Sequence, residues 1–196
     1  MKHRLFIWLL FGLAALSACG QPYTFRGSEI TPAKLAPDFT LTDQNGQPFT
    51  ISAQKGSVVL LFFGFTHCPD VCPTTLADIA AARAQLGKDA DKLKVALITV
   101  DPERDDAAKI GSYVKNYDPS FIGLTGSRAQ IDPVLKAYGV TAIKRELPNS
   151  KLGYTVDHSA FIYLIDRAGN WRGLLPFGVT PDDIASDTGY LARNGS

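Results

Sequence analysis

Residues 58–63 read Val-Val-Leu-Leu-Phe-Phe, a β-branched and aromatic run with no polar position. A strand with one face in water alternates apolar and polar side chains. An unbroken apolar run suits a strand covered on both faces, as in a parallel or mixed sheet with helices packed against it. Two further strand-like runs occupy residues 93–100, interrupted by Lys94 and Thr99, and residues 160–165. Between them, residues 74–86 place Leu76, Ile79, Ala80, Arg83 and Leu86 near one helical face. Residues 107–117 turn Ile110, Tyr113 and Val114 inward, and residues 128–138 form another helix. Strands alternating with helices predict an α/β sandwich with a mixed sheet.

Local turn chemistry sets the ends of this pattern. Asn45-Gly46 between residues 39–42 and 48–51 predicts a β-hairpin, because that pair tolerates positive φ. Residues 166–170 form a turn from which residues 171–175 pair back. Thr180 as N-cap and Pro181 at the first helical position open a last helix to about residue 192. A chain of 196 residues suffices for one well-packed core. No repeat or linker divides it. The element order resembles an elaborated thioredoxin fold, with an N-terminal β-hairpin and an insertion before the strand that follows His158.

The chain has three cysteines, and their positions separate them into one and two. Lys2, His3 and Arg4 precede an apolar or small stretch over residues 5–18, too short for a membrane span and suited to a signal-peptide core. Leu16-Ser17-Ala18-Cys19 looks like a bacterial lipobox, in which the Cys19 thiol carries lipid. The expected organisation is a signal peptide over residues 1–18, a tether over 19–36 that is rich in proline and small polar residues, and one domain over 37–194. Such a protein works on the extracytoplasmic face of a bacterial membrane, in the periplasm or its equivalent, held by acyl chains. Cleavage removes Lys2 and Arg4 and no acid, which lowers the formal charge of +1 by two.

The mature chain then offers two thiols, Cys68 and Cys72, and two imidazoles, His67 and His158. The cysteines lie in Thr66-His67-Cys68-Pro69-Asp70-Val71-Cys72-Pro73, directly after the first buried strand. Pro73 places Cys72 at the cap of the following helix, where free N–H groups and the helix dipole favour a thiolate. A separation of four lets the sulfurs either bond to each other or share a metal. Two inert thiols or a plain structural disulfide form the bland alternative, which explains neither the prolines nor the helix start. His158 precedes the third buried strand, and in this fold that loop can come beside the cysteines. Thioredoxin-type reductases carry a cis-proline there, whereas this chain has Asp157-His158. That difference favours metal binding. Asp157 would orient the imidazole or act as a weak outer ligand, or else cap a turn. His67 reads as a flanking residue. Two thiolates and an imidazole suit Cu(I), or Cu(II) with an added oxygen ligand, while zinc would require His67 or an aspartate as a fourth ligand.

Three segments carry a resemblance to a known family. Cys68-Pro69-Asp70-Val71-Cys72-Pro73 after Phe62-Phe63-Gly64-Phe65-Thr66, Val100-Asp101-Pro102-Glu103-Arg104-Asp105, and Val156-Asp157-His158-Ser159 resemble the Sco/SenC copper-binding proteins. The resemblance runs over about residues 37–191. It implies one copper per domain held by Cys68, Cys72 and His158. It also implies service to the binuclear copper centre CuA on cytochrome c oxidase subunit II, by copper delivery or by reduction of that centre's cysteines. Another copper protein, a thioredoxin-like reductant or a second copper chaperone would be further partners. Family members commonly carry Thr-Pro where this chain has Asp106-Ala107, which loosens the helix-start signal. Residues 101–105 read equally as a helix cap with a surface salt bridge or as a partner-docking segment.

No phosphate loop, nucleotide-binding glycine fingerprint, nucleophile elbow or basic-aromatic groove is present, so nucleic acid is not an expected partner. Three classes of function follow. A copper metallochaperone, which is not an enzyme, ranks above a thiol-disulfide oxidoreductase using the Cys68–Cys72 pair. A redox sensor or thiol peroxidase ranks third.

Overall fold

The computed structural model describes residues 23–195. The expected signal segment, 1–18, and the expected lipid-bearing Cys19 lie outside the described residues. Within them the chain runs through β1 (Ser28–Leu35), β2 (Thr40–Asp43), β3 (Pro48–Thr50), β4 (Val58–Gly64), α1 (Val71–Gln85), β5 (Leu93–Thr99) and α2 (Ala107–Lys115). It continues through β6 (Ile122–Thr125), α3 (Arg128–Ala137), β7 (Ala142–Glu146), β8 (Tyr154–His158), β9 (Phe161–Ile165), β10 (Asn170–Pro176) and α4 (Pro181–Asn194).

Eight strands form one mixed sheet in the order β1-β10-β9-β4-β5-β6-β2-β3. The pairs β4–β5 and β5–β6 are parallel, while β9 runs antiparallel to β4. Every residue of β4 is buried, which is why residues 58–63 carry no polar side chain. α1 packs on α4, α4 reaches β4, and α2 lies on β6. The mixed α/β architecture expected from the sequence is the one observed.

The turn signals act as local chemistry requires. Gly46 has φ +75°, and the Asp43 carboxylate accepts from the N–H groups of Asn45 and Gln47 at 2.8 Å, closing the β2–β3 hairpin. The Thr180 hydroxyl accepts from Asp183 N at the start of α4. Asp106, standing where the family commonly has threonine, accepts from Lys109 N at 2.8 Å and caps α2.

The tether expectation needs correction. Residues 28–35 form β1, an edge strand paired antiparallel with β10 from Ser28↔Leu174 to Leu35↔Asn170. Its side chains are almost all exposed, so the pairing is carried by backbone groups and leaves no apolar pattern to read. An edge position also accommodates Pro32. The approach to β1 is pinned by buried Asp187 of α4, which accepts from Tyr23 Oη at 2.6 Å and from the N–H groups of Arg26 and Gly27.

The insertion before β9 is a separate two-stranded antiparallel ribbon, β7–β8, with Ala142 opposite His158. His158 is the last residue of this ribbon. After two intervening residues the chain enters β9, which pairs with the strand that leads to the cysteines.

Candidate metal centre

Three elements converge at the end of β4. The strand delivers the chain to Gly64, the 65–70 loop carries Cys68, and the first turn of α1 carries Cys72. α1 begins one residue before Cys72, with Asp70 at the N-cap, so Cys72 lies inside the helix rather than at its cap. Proline is tolerated in a first turn because the N–H groups there lack intrahelical partners. Packing outweighs the mild pre-proline bias at Cys72. Its side chain is fully buried, and its sulfur occupies space that a Cβ on Gly64 would take, only 2.7 Å from that position.

The Asp70 side chain makes no capping hydrogen bond. Instead the Cys68 sulfur accepts from Cys72 N at 3.3 Å, taking the place of a capping side chain at the positive end of α1. This reverses the expectation about which sulfur is the thiolate. A hydrogen bond from the Cys72 thiol is the main influence holding Cys68 far below an ordinary thiol, at about 4. Partial burial opposes it, while His158 and the Asp70 and Cys72 N–H groups add to it. Cys72 is pushed up, first because its proton is held by Cys68 and then because it is buried. The Cys72 thiol on the first turn of α1 therefore activates Cys68 more than the helix N–H groups do.

His158 arrives from β8. Its Nε2 stands 3.5 Å from Cys72 Sγ, and its Nδ1 lies 3.1 Å from the carbonyl oxygen of Ser159. The rings of Phe65 and Phe62 meet the imidazole edge-on at 5.8 Å and 6.3 Å. One donor atom from each of Cys68, Cys72 and His158 lies within 4.8 Å of the others, the one such Cys/His/acid cluster among the described residues. A trigonal ion with bonds of about 2.2 Å separates its donors by about 3.8 Å, so small shifts would close the three around one ion. The centre opens to solvent through a cleft of about 330 Å³ bordered by Pro69, Val71, Thr155 and Asp157.

The two flanking residues behave differently from one another. His67, read as a flanking residue, turns from the cluster toward Thr66 Oγ1 at 3.0 Å. Asp157, expected to orient the imidazole, accepts instead from Arg145 Nε across the ribbon at 2.8 Å. Successive strand residues point to opposite faces, so a side chain next to His158 in β8 is directed away from it. The Ser159 carbonyl takes the orienting place.

The surface salt bridge read at residues 101–105 is present at Glu103, which pairs with Arg128, while Asp101 and Asp105 are both buried. Asp105 accepts from Thr66 N at 3.0 Å, Thr66 Oγ1 at 2.5 Å and Thr99 Oγ1 at 2.8 Å, and so ties the cysteine loop to β5. Asp101 accepts from Tyr154 Oη at 2.8 Å and Arg104 Nε at 2.5 Å. The sequence singled out this stretch, but nothing local reveals where its carboxylates point. Gly64 was read only as part of the motif, without its packing against the Cys72 sulfur.

A model of the SCO1/SenC family matches residues 27–193. The chain is similar to an SCO2-like protein of Rickettsia felis, 39% identical over 151 residues that cover 77% of this chain and 74% of that one. Its fold is similar to Bradyrhizobium japonicum ScoI solved with copper bound, with TM-score 0.73, 42% identity and coverage of 81% and 99%. It is also similar to BsSco, described as carrying a disulfide switch and as a Sco-family cytochrome c oxidase assembly protein, with TM-score 0.64, 26% identity and coverage of 89% and 99%.

Proposed function

The chain belongs to the SCO1/SenC family, and on that premise we propose that it is a copper metallochaperone serving assembly of the CuA centre of cytochrome c oxidase. Copper is its cargo, held by Cys68, Cys72 and His158. The observation that carries this reading is the convergence of two sulfurs and one imidazole nitrogen within 4.8 Å. Three soft donors suit Cu(I), whereas a structural zinc site wants four. The chain's own contribution is to keep Cys68 ionised at the helix start, to bury Cys72, and to present His158 Nε2 with its Nδ1 committed to a carbonyl. Both sulfurs must be reduced to bind. The open cleft lets a partner's thiolates reach the ion and replace these ligands one at a time.

We place the protein on the extracytoplasmic side of a bacterial membrane, anchored by lipid on Cys19 after removal of residues 1–18. In support, the lipobox register over Leu16-Ser17-Ala18-Cys19 is complete. The anchor would stand only a few residues before the pinned segment at Tyr23, which holds the domain close to the bilayer.

A second reading rests on the half-exposed Cys68 thiolate beside a protonated Cys72. Cys68 would attack a partner disulfide, forming a mixed disulfide and releasing one partner thiolate. Cys72 would then give up its proton and attack Cys68, leaving a Cys68–Cys72 disulfide and the second partner thiol.

Anaerobic competition of the reduced full chain against a chromophoric Cu(I) chelator tests the first reading. One equivalent should bind, Cys68→Ser or Cys72→Ser should abolish tight binding, and His158→Ala should weaken it at least ~10-fold. Unchanged affinity in His158→Ala would overturn the ligand assignment. Reduction of an oxidised CuA-site peptide that is copper-independent and survives His158→Ala would favour the second.

A further inference from the structure

The cysteine loop and the β7–β8 ribbon are far apart in the chain, and the main sheet does not include the ribbon. Besides the direct run into β9, the turn over residues 101–105, whose two aspartates are buried, touches both. On one side, Asp105 grips Thr66, two residues before Cys68, through both backbone and hydroxyl. On the other, Arg104 reaches the ribbon. Its guanidinium lies 3.6 Å from the Tyr154 ring centroid, and its Nη1 donates to the carbonyls of Tyr154 at 3.0 Å and Leu152 at 3.2 Å. Asp101 holds the same group from behind and also receives the Tyr154 hydroxyl. The guanidinium also lies 5.9 Å from the Phe65 ring centroid, and that ring meets His158.

Arg104 is a costly way to stabilise a fold. Its Nη2 is buried with no hydrogen-bond partner among the described residues. A buried ion pair that leaves a donor unsatisfied is weak as a stabiliser and useful for defining one geometry. The strand it grips, β8, begins at Tyr154 and ends at His158.

We propose that Arg104, held by Asp101, is a positioning residue for the metal: it clamps the ribbon so that His158 stands over the cysteine pair, which Asp105 fixes from the same turn. This deepens the proposed function and rests on its ligand set. Without the clamp the ribbon keeps its own pairing but loses its fixed place, and the centre falls back to two sulfurs.

A double-mutant cycle read by Cu(I) competition on the reduced full chain tests this, with folding checked by near-ultraviolet circular dichroism. Arg104→Gln should weaken Cu(I) binding ~10-fold or more, the scale of an outer partner of a metal ligand. In a His158→Ala background it should change affinity less than ~2-fold, because independent effects would add and a shared one does not. The Cu(II) form of Arg104→Gln should also lose the electron paramagnetic signature of nitrogen ligation, as His158→Ala does. Tyr154→Phe keeps the ring under Arg104 and removes only the hydroxyl bond to Asp101. It should fall between wild type and Arg104→Gln, and it decides the cycle if the larger change prevents folding. Wild-type affinity in a folded Arg104→Gln chain, or an equal loss in both backgrounds, overturns the clamp while leaving the ligand set intact. If His158→Ala itself binds as wild type, the ligand set fails and the clamp with it.

Discussion

Replacing Gly64 by alanine sets one methyl group against the centre. An added Cβ would meet Cys72 Sγ at 2.7 Å, with Leu97 Cδ1 and Phe62 Cε1 both at 3.1 Å. Relaxed contacts of this kind lie near 3.5–4.0 Å, so something must move by on the order of 1 Å. The strand cannot retreat, because β4 is paired along its length to β5 and on its other edge to β9. The leucine and phenylalanine are both at most 1% exposed, so neither has free space to enter. Cys72 is held in the first turn of α1, so its sulfur, now 3.5 Å from His158 Nε2, can give way only by side-chain rotation, which disturbs that spacing. Overpacking of this kind costs about 1–3 kcal/mol. For a domain of this size each kcal/mol lowers the melting temperature by roughly 2–4 °C, so calorimetry should show a fall of about 2–12 °C. Cu(I) competition on the same preparation should show weaker binding, because the displaced sulfur is a donor. A variant that melts within about 1 °C of wild type and binds Cu(I) equally would refute the claim that Gly64 makes room for the Cys72 sulfur.

Two further outcomes follow from the same geometry. Iodoacetamide should label Cys68 before Cys72 in the reduced, metal-free chain, since Cys68 is half-buried with a thiolate favoured down to about 4, while Cys72 is buried and pushed up. A lowered pKa keeps the reactive anion present above it, so the Cys68 rate should stay flat from neutral pH to about pH 5 and fall only on further acidification; peptide mapping that found Cys72 modified first would contradict this. Asp187→Asn should destabilise the chain by about 1–3 kcal/mol and expose the start of β1 to limited proteolysis, because one amide oxygen cannot serve the Tyr23, Arg26 and Gly27 donors that the buried carboxylate accepts; an unchanged unfolding midpoint in urea would show that these bonds do not hold the segment.

What was legible in the sequence has a common character. β4 could be read from residues 58–63 because burial on both faces excludes polar side chains, and the β2–β3 turn because Asn45-Gly46 suits its backbone. The α4 start could be read because Thr180 supplies its own cap. Each rests on the intrinsic chemistry of a few neighbouring residues. β1 was not legible: an edge strand held by backbone bonds needs no apolar pattern, and its proline and polar content resembles a linker. The start of α1 was misplaced by two residues because the pre-proline bias at Cys72 is weaker than the packing of its sulfur against Gly64 of β4. Asp157 was assigned to the imidazole by adjacency, whereas strand alternation turns neighbours apart and left it with Arg145.

The sequence by itself determined the chemistry available to this protein. With two thiols and two imidazoles beyond the expected signal segment, and two of these groups spaced at a helix start, a soft-metal or thiol function had few other places to reside. Tertiary structure decided how that chemistry is arranged. It set His158 Nε2 beside the Cys72 sulfur, made Cys68 rather than Cys72 the favoured thiolate, and turned Asp101 and Asp105 from surface charges into buried braces. The reason is physical. Residue types fix which atoms can donate, but ionisation and ligand geometry depend on distances of a few ångströms between segments remote in the chain. Those distances are set by the packing of the sheet, the ribbon and the turn between them.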